Sequence, residues 1–254
     1  MRWIESLMVA LSTYSALPMP QFQWNRRNME YAICFFPAVG VLLGGALFGW
    51  YGVSLLLDIG GVLFAAFGAG LPILLTGGIH MDGFMDTVDA LSSHQSRERK
   101  LEILKDPHCG AFAVIYCGVY LLFSFALFYE LYAAGQIVVC CRAFILSRSL
   151  SALCALTMPN ARKSGMLCAF TKDAQTKGAA IAMALLSVFS ASGMLLLSFV
   201  PGVCGILLVL AVTFFYRAMA KKQFGGATGD TAGFFLQICE LSTLVGVWIG
   251  GQIL

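Results

Sequence analysis

Long apolar runs dominate this chain, and short polar stretches separate them. Spanning a bilayer takes roughly 20 mostly apolar residues. Seven runs qualify, at about 31–57, 60–79, 110–129, 134–157, 178–200, 202–220 and 234–254. The ends of such runs are soft, so six to eight crossings fit the pattern. It predicts an all-α, polytopic transmembrane helical bundle. The segment before the first run reads differently. Only Arg2 precedes its apolar positions, Glu5 interrupts them, and Pro18 and Pro20 end them. That predicts an amphipathic helix lying at the membrane interface, not a signal peptide.

The polar positions set an orientation. Threading seven crossings puts Arg2, Arg26, Arg27, Arg97, Arg99, Lys100, Lys105, Arg162, Lys163, Lys172, Lys177, Arg217, Lys221 and Lys222 on one side, 14 of the 16 basic residues. The turns on the other side offer only Asp58 and Glu130, and Arg142 and Arg148 fall inside the fourth run. Cytoplasmic segments carry the Lys and Arg excess, so the N-terminus is expected in the cytoplasm. The long polar connections, about 80–109, 158–177 and 221–233, join it there. The outer turns are too short to build a site. Residues 1–254 thus read as one integral membrane domain with its active site on those three segments.

Composition agrees. The chain is 59% hydrophobic and 11% charged, with a mean hydropathy of +0.83; a soluble domain carries about 25% charged residues. The net charge of +3 comes with no basic stripe or nucleic-acid motif, so no nucleic-acid partner is expected. The nine cysteines include no C-x-x-C pair and lie mostly in apolar runs, where free Cys packs as a small hydrophobe.

The densest polar cluster runs from Thr76 to Asp89, directly after the second run. Asp82, Asp86 and Asp89 are spaced i, i+4, i+7 and share one helix face. Three carboxylates there repel one another without a cation. Mg²⁺ typically takes one or two protein carboxylates plus substrate phosphates, so the face reads as a metal-phosphate site; a solvated helix start is the bland alternative. His80 projects away from that face, as a general base or substrate contact, or as a plain capping histidine. In the charged stretch Arg97–Gly110, Lys105 could hold a phosphate and Asp106 could add a metal ligand. A glycine-rich stretch, Gly225 to Gly233, offers Gly226, Thr228 and Gly229 to an anion and Asp230 to a metal. Both polar segments spell Gly-Gly-x-x-x-Asp, at Gly77-Gly78/Asp82 and Gly225-Gly226/Asp230. Intramembrane charge is costly and usually functional. Arg148, with Arg162 after Pro159-Asn160, could neutralise a phosphate or pair with a carboxylate such as Glu240.

These segments resemble the signatures of the cobalamin synthase family. Thr76–Asp89 resembles T-G-G-x-H-x-D-G-x-x-D-x-x-D-G, and Arg99–Gly110 resembles R-x-L-E-I-M-K-D-S-x-x-G. Pro159–Gly165 resembles P-Y-A-R-x-x-G, and Gly225–Gly233 resembles G-G-x-T-G-D-x-x-G followed by Glu240. Phe36–Gly40 matches F-P-x-x-G, and Arg148 stands at the family's membrane arginine. The matches keep the family's order and cover nearly the whole chain. Met81, Ala90 and Asn160 depart from its usual Glu, Gly and Tyr.

The resemblance implies an adenosylcobinamide-GDP ribazoletransferase. Such an enzyme joins adenosylcobinamide-GDP to α-ribazole or its 5′-phosphate and releases GMP, with Mg²⁺ as cofactor. It implies a bacterial or archaeal cell membrane as location, membrane lipid as a partner, and soluble corrinoid-assembly enzymes as suppliers. Asp82, Asp86, Asp89 and Asp230 would hold the metal. Lys105, Arg148, Arg162, Gly226, Thr228, Gly229 and Glu240 would bind substrate, and His80 or Asp106 would accept the hydroxyl proton. Two rival readings exist. A CDP-alcohol-type phosphotransferase wants D-G-x-x-A-R, which Asp82-Gly83-Phe84-Met85-Asp86-Thr87 does not supply. A secondary transporter would place polar residues at the midplane of broken helices.

Overall fold

The computed structural model describes residues 2–19, 29, 31–172 and 176–253. Arg26, Arg27 and Pro20, used above for orientation and for the end of the first helix, lie outside them. Twelve α-helices are described: α1 (Arg2–Tyr14), α2 (Phe36–Leu56, led in by a 3₁₀ turn at Ala32–Phe35), α3 (Gly61–Thr76), α4 (Ile79–Ser92), α5 (Arg97–Ile103), α6 (Ala111–Ala133), α7 (Ile137–Cys141), α8 (Ala143–Thr157), α9 (Met166–Lys172), α10 (Thr176–Leu197), α11 (Phe199–Gln223) and α12 (Gly229–Ile253). Among the described residues the only extended pairing is one parallel bridge, Asn160 to Ala227.

The helical membrane fold is as expected. Six helical stretches, α2, α6, α7 with α8, α10, α11 and α12, are long and apolar enough to cross a membrane, and a seventh crossing counts if α3 and α4 are taken together. Exposed Leu122, Leu196 and Phe214 face outward from the bundle, as lipid-facing side chains do. The fourth run is one crossing in two pieces, α7 and α8. Arg142, at their junction, lies over the Phe189 ring at 5.7 Å.

Three boundaries differ from the expectation. First, α3 has only 16 residues, about 24 Å of rise, and the chain then bends by 94° into α4. Gly77 and Gly78 make the bend with φ of 63° and 79°, backbone that L side chains resist. α4 therefore runs nearly at right angles to α3. Second, the connection at 158–177 carries a helix of its own, α9, whereas α4 and α5 in the 80–109 connection are the helical acidic face and the charged stretch expected there. Third, the last helix begins at Gly229 rather than 234. Thr228 and Thr231 cap it reciprocally: the Thr231 amide donates to the Thr228 hydroxyl at 3.1 Å and the Thr228 amide donates to the Thr231 hydroxyl at 2.9 Å. These bonds satisfy amides that a helix start otherwise leaves unpaired.

Candidate functional site

The site is built where α4 crosses the start of α12. A Cβ on Gly83 would lie 2.8 Å from the Asp230 carbonyl oxygen, and one on Gly233 would lie 2.9 Å from that of His80. Only glycine lets the two backbones approach this closely. Phe84 and Phe234 stack at 5.7 Å across the same crossing. Asp82, Asp86 and Asp230 are thereby carried to one place from two distant segments.

A third strand of chain locks the arrangement. Ala227 donates its amide to the Pro159 carbonyl, and Ala161 donates to the Ala227 carbonyl, each at 2.9 Å. Gly226 fits beneath Pro159, where a Cβ would meet the carbonyl oxygen at 2.1 Å. This pairing delivers Arg162, whose guanidinium is 3.3 Å from the Asp230 carboxylate and donates to the Leu101 carbonyl at 3.2 Å.

Two cavities meet at the crossing and share Asp82 and Asp230. The charged one, about 330 Å³, also takes in Asp86, Lys105, Asp106 and His108. Here the Asp86 carboxyl is pushed up to about 7, first by burial, then by Asp82, Asp230 and Asp89. Asp106 is held below the ordinary carboxylate range, chiefly by the His108 amide, which donates to it at 3.0 Å, and by the His108 ring at 2.7 Å. The second cavity, about 300 Å³, is mainly apolar, with Tyr14, Phe36, His80, Ala152 and Leu236 in its wall. His80 is 5% exposed and lies between Tyr14 and Phe36, with ring centroids 6.0 and 5.7 Å away. Burial, and then the Arg148 charge, keep its imidazole well below the ordinary histidine value and neutral.

Not every candidate faces these cavities. Asp89 turns to the start of α6, where its carboxylate accepts from the amides of Gly110 at 2.6 Å and Ala113 at 2.8 Å. Arg148 and Glu240 form a buried ion pair between α8 and α12, joined by Ser147. Of the two roles open to Arg148 in the sequence, this is the carboxylate partner, and neither residue is among those lining the two cavities. Thr228, Gly229 and Asp230 line a smaller pocket with Arg162. Sequence reasoning passed over Tyr14, Ala152 and His108. No local motif marks them, because they reach the site from separate helices and a loop.

The donor chemistry bears on a metal. Asp82, Asp86 and Asp230 are hard oxygen donors, and the repulsion felt at Asp86 is what a cation would relieve. Among the described residues, however, no three His, Cys, Asp or Glu side chains converge at ligating distance. The residues fit an ion held by one or two carboxylates and completed by substrate phosphate oxygens, the usual manner of Mg²⁺, better than an all-protein cage.

Comparison with known proteins gives a consistent result. A sequence profile for the family described as "Cobalamin-5-phosphate synthase" matches residues 6–248. The chain is 44% identical over 241 residues to an adenosylcobinamide-GDP ribazoletransferase of Lachnoclostridium phytofermentans, covering 95% of this chain and 92% of that one. Proteins of the same description from Desulfitobacterium hafniense and Pseudomonas entomophila are 34% and 33% identical. Those alignments cover 96% of this chain and 97% of the first relative, and 94% and 96% for the second. No solved structure matches.

Proposed function

The chain belongs to the cobalamin-5-phosphate synthase family of enzymes, and from that premise we propose that it joins adenosylcobinamide-GDP to α-ribazole or its 5′-phosphate in a Mg²⁺-dependent transfer. A ribose hydroxyl of the ribazole attacks the phosphorus next to the corrinoid. The bridging P–O bond of the pyrophosphate breaks, and GMP leaves with the bridging oxygen. The product keeps one phosphate between corrinoid and ribazole, so phosphorus and oxygen balance.

Phosphoryl transfer of this kind depends on positioning and on charge stabilisation more than on covalent help from the protein. One or two of the carboxylates Asp82, Asp86 and Asp230 would hold Mg²⁺, with Asp89 set back; bound there, the ion would neutralise the pyrophosphate charge. Lys105 faces the same cavity and would stabilise the departing GMP. Arg162, tied to Asp230, would hold that carboxylate in place and lend its remaining positive charge. Gly229 is exposed at the first turn of α12, whose unpaired amides suit a phosphate oxygen. Asp106, exposed in the charged cavity, is the better placed of the two candidates to accept the hydroxyl proton; His80 is walled in by aromatic rings. Arg148 and Glu240 would support the site from below rather than touch substrate. The basic residues on segments 80–109, 158–177 and 221–233 support a cytoplasmic active site in one membrane domain, at the bacterial or archaeal cell membrane. Soluble corrinoid-assembly enzymes could deliver substrate there.

The observation that carries this reading is the meeting of Asp82, Asp86 and Asp230 with Lys105 in one cavity. The test uses purified protein in liposomes with adenosylcobinamide-GDP, α-ribazole 5′-phosphate and Mg²⁺. Cobalamin product and GMP are followed by chromatography. Equal amounts of both, lost with EDTA and in Asp86→Asn, are expected. Full turnover in Asp86→Asn would remove that residue from the site, and absence of product from folded protein would overturn the reaction.

A further inference from the structure

The apolar cavity has a composition that the charged chemistry next to it does not need. Its wall is built from five distant parts of the chain: Tyr14 on α1, Phe36 at the start of α2, His80 on α4, Ala152 on α8 and Leu236 on α12. Tyr14, Phe36 and His80 form a continuous aromatic face, with Tyr14 and Phe36 centroids 4.5 Å apart. Among the described residues, one polar atom in this wall is buried and unsatisfied: His80 Nε2 has no hydrogen-bond partner. Buried polar atoms are rarely left so, because the cost of desolvation then goes unrecovered. It shares Asp82 and Asp230 with the charged cavity.

We propose that this cavity seats the aromatic base of the ribazole, with His80 Nε2 donating to its ring nitrogen. The inference rests on the reaction proposed above and names the subsite for one of its two substrates. The benzimidazole base is flat and largely apolar, and with one nitrogen bonded to ribose it keeps one ring nitrogen with a lone pair. One unsatisfied atom in the wall thus meets one acceptor on the ligand. The wall's other polar side chains are Tyr14 and Ser151, with the carboxylates of Asp82 and Asp230 shared with the charged cavity; the rest is apolar, which suits a benzimidazole better than guanine with its several donors and acceptors. The corrin ring with its side chains is far too large for a cavity of about 300 Å³. With the base inside, the ribose lies beside Asp82 and Asp230, where its hydroxyl is needed.

The decisive measurement needs no variant. In the liposome assay, free 5,6-dimethylbenzimidazole is added as inhibitor while each substrate is varied in turn. Competition against α-ribazole 5′-phosphate, and none against adenosylcobinamide-GDP, is expected. Competition against adenosylcobinamide-GDP, or no inhibition at all, would overturn the inference. Ala152→Phe, which fills the cavity, should raise KM for α-ribazole 5′-phosphate by about tenfold or more while leaving KM for adenosylcobinamide-GDP within about twofold. A parallel rise in both would point to a general distortion and count against it. His80→Phe keeps the aromatic wall and removes the donor. It should raise KM for the benzimidazole ribotide and spare a ribotide whose base is a phenyl ring without nitrogen. A fall in kcat with both ribotides at unchanged KM would make His80 a proton acceptor instead. Wild-type protein that forms no product would overturn the parent reaction, and this inference with it.

Discussion

The chain spells Gly-Gly-x-x-x-Asp twice, and the fold uses the two copies for different purposes. At Gly77-Gly78 the glycines break a membrane crossing and turn the chain by 94° into α4. At Gly225-Gly226 they close a hairpin between α11 and α12, and Gly226 makes room for the Pro159 carbonyl. The helices that follow also differ. After Asp82, the positions four and seven residues on are Asp86 and Asp89; after Asp230 they are Phe234 and Gln237. One copy supplies a charged face, the other a single carboxylate at a helix start with an apolar face beneath it. Yet Asp82 and Asp230 end up lining the same two cavities. A short repeated spelling therefore says little about local structure, while the glycines at the crossing decide which carboxylates meet.

The largest effect should come from breaking that meeting. Asp82→Asn and Asp230→Asn should each lower kcat by about 10²–10³, the scale for losing one group that stabilises transition-state charge. If the two act at one centre, the double variant should be no slower than the worse single one. A double-mutant cycle on the liposome rate measures this, and full additivity would separate the two segments into independent sites.

Next in size are the glycines that set the approach. Gly83→Ala and Gly226→Ala would push a Cβ against backbone atoms that cannot swing aside. Each should cost about 1–3 kcal/mol, as overpacking does, read from thermal unfolding in detergent. Gly118→Ala, with open space around it, should leave the transition unchanged, and an equal loss there would show that any glycine replacement is harmful. Gly78→Ala meets no neighbour and should lose only the left-handed preference, about 1–2 kcal/mol.

Much of this was legible because membrane burial writes itself into composition. The crossings, the charge asymmetry, and Asp82, Asp86 and Asp230 as candidates are all local features. What was not legible depends on contacts between distant segments. The start of α12 was placed five residues late because Gly229 to Gly233 look like loop, and only the Thr228–Thr231 cap makes them helix. Arg148 could be given two roles, since nothing local distinguishes a phosphate from Glu240 as its partner. Nothing local assigns Tyr14 and Phe36 to a wall with His80; α1 packs on the 3₁₀ turn and on α2, and that brings both rings beside the imidazole.

The smallest effect concerns Asp89, where the comparison of the two segments is sharpest. By spacing it belongs with Asp82 and Asp86, and the family resemblance makes it a metal ligand. In the fold its two oxygens accept from the amides of Gly110 and Ala113, so it caps α6 and anchors the loop that carries Lys105 and Asp106. Gln237, at the matching position of the other segment, is buried within α12 rather than set at a helix start. A capping role predicts that Asp89→Ala costs about 0.5–2 kcal/mol of stability, with less lost in Asp89→Asn, which keeps an acceptor. Asp89→Asn should then retain kcat to within about tenfold, against the near-abolition expected for Asp86→Asn, and leave the Mg²⁺ concentration for half-maximal rate unchanged. A rise in that concentration matching the one in Asp86→Asn would put Asp89 back among the ligands. Its bonds to α6 would then have to loosen when the substrates arrive.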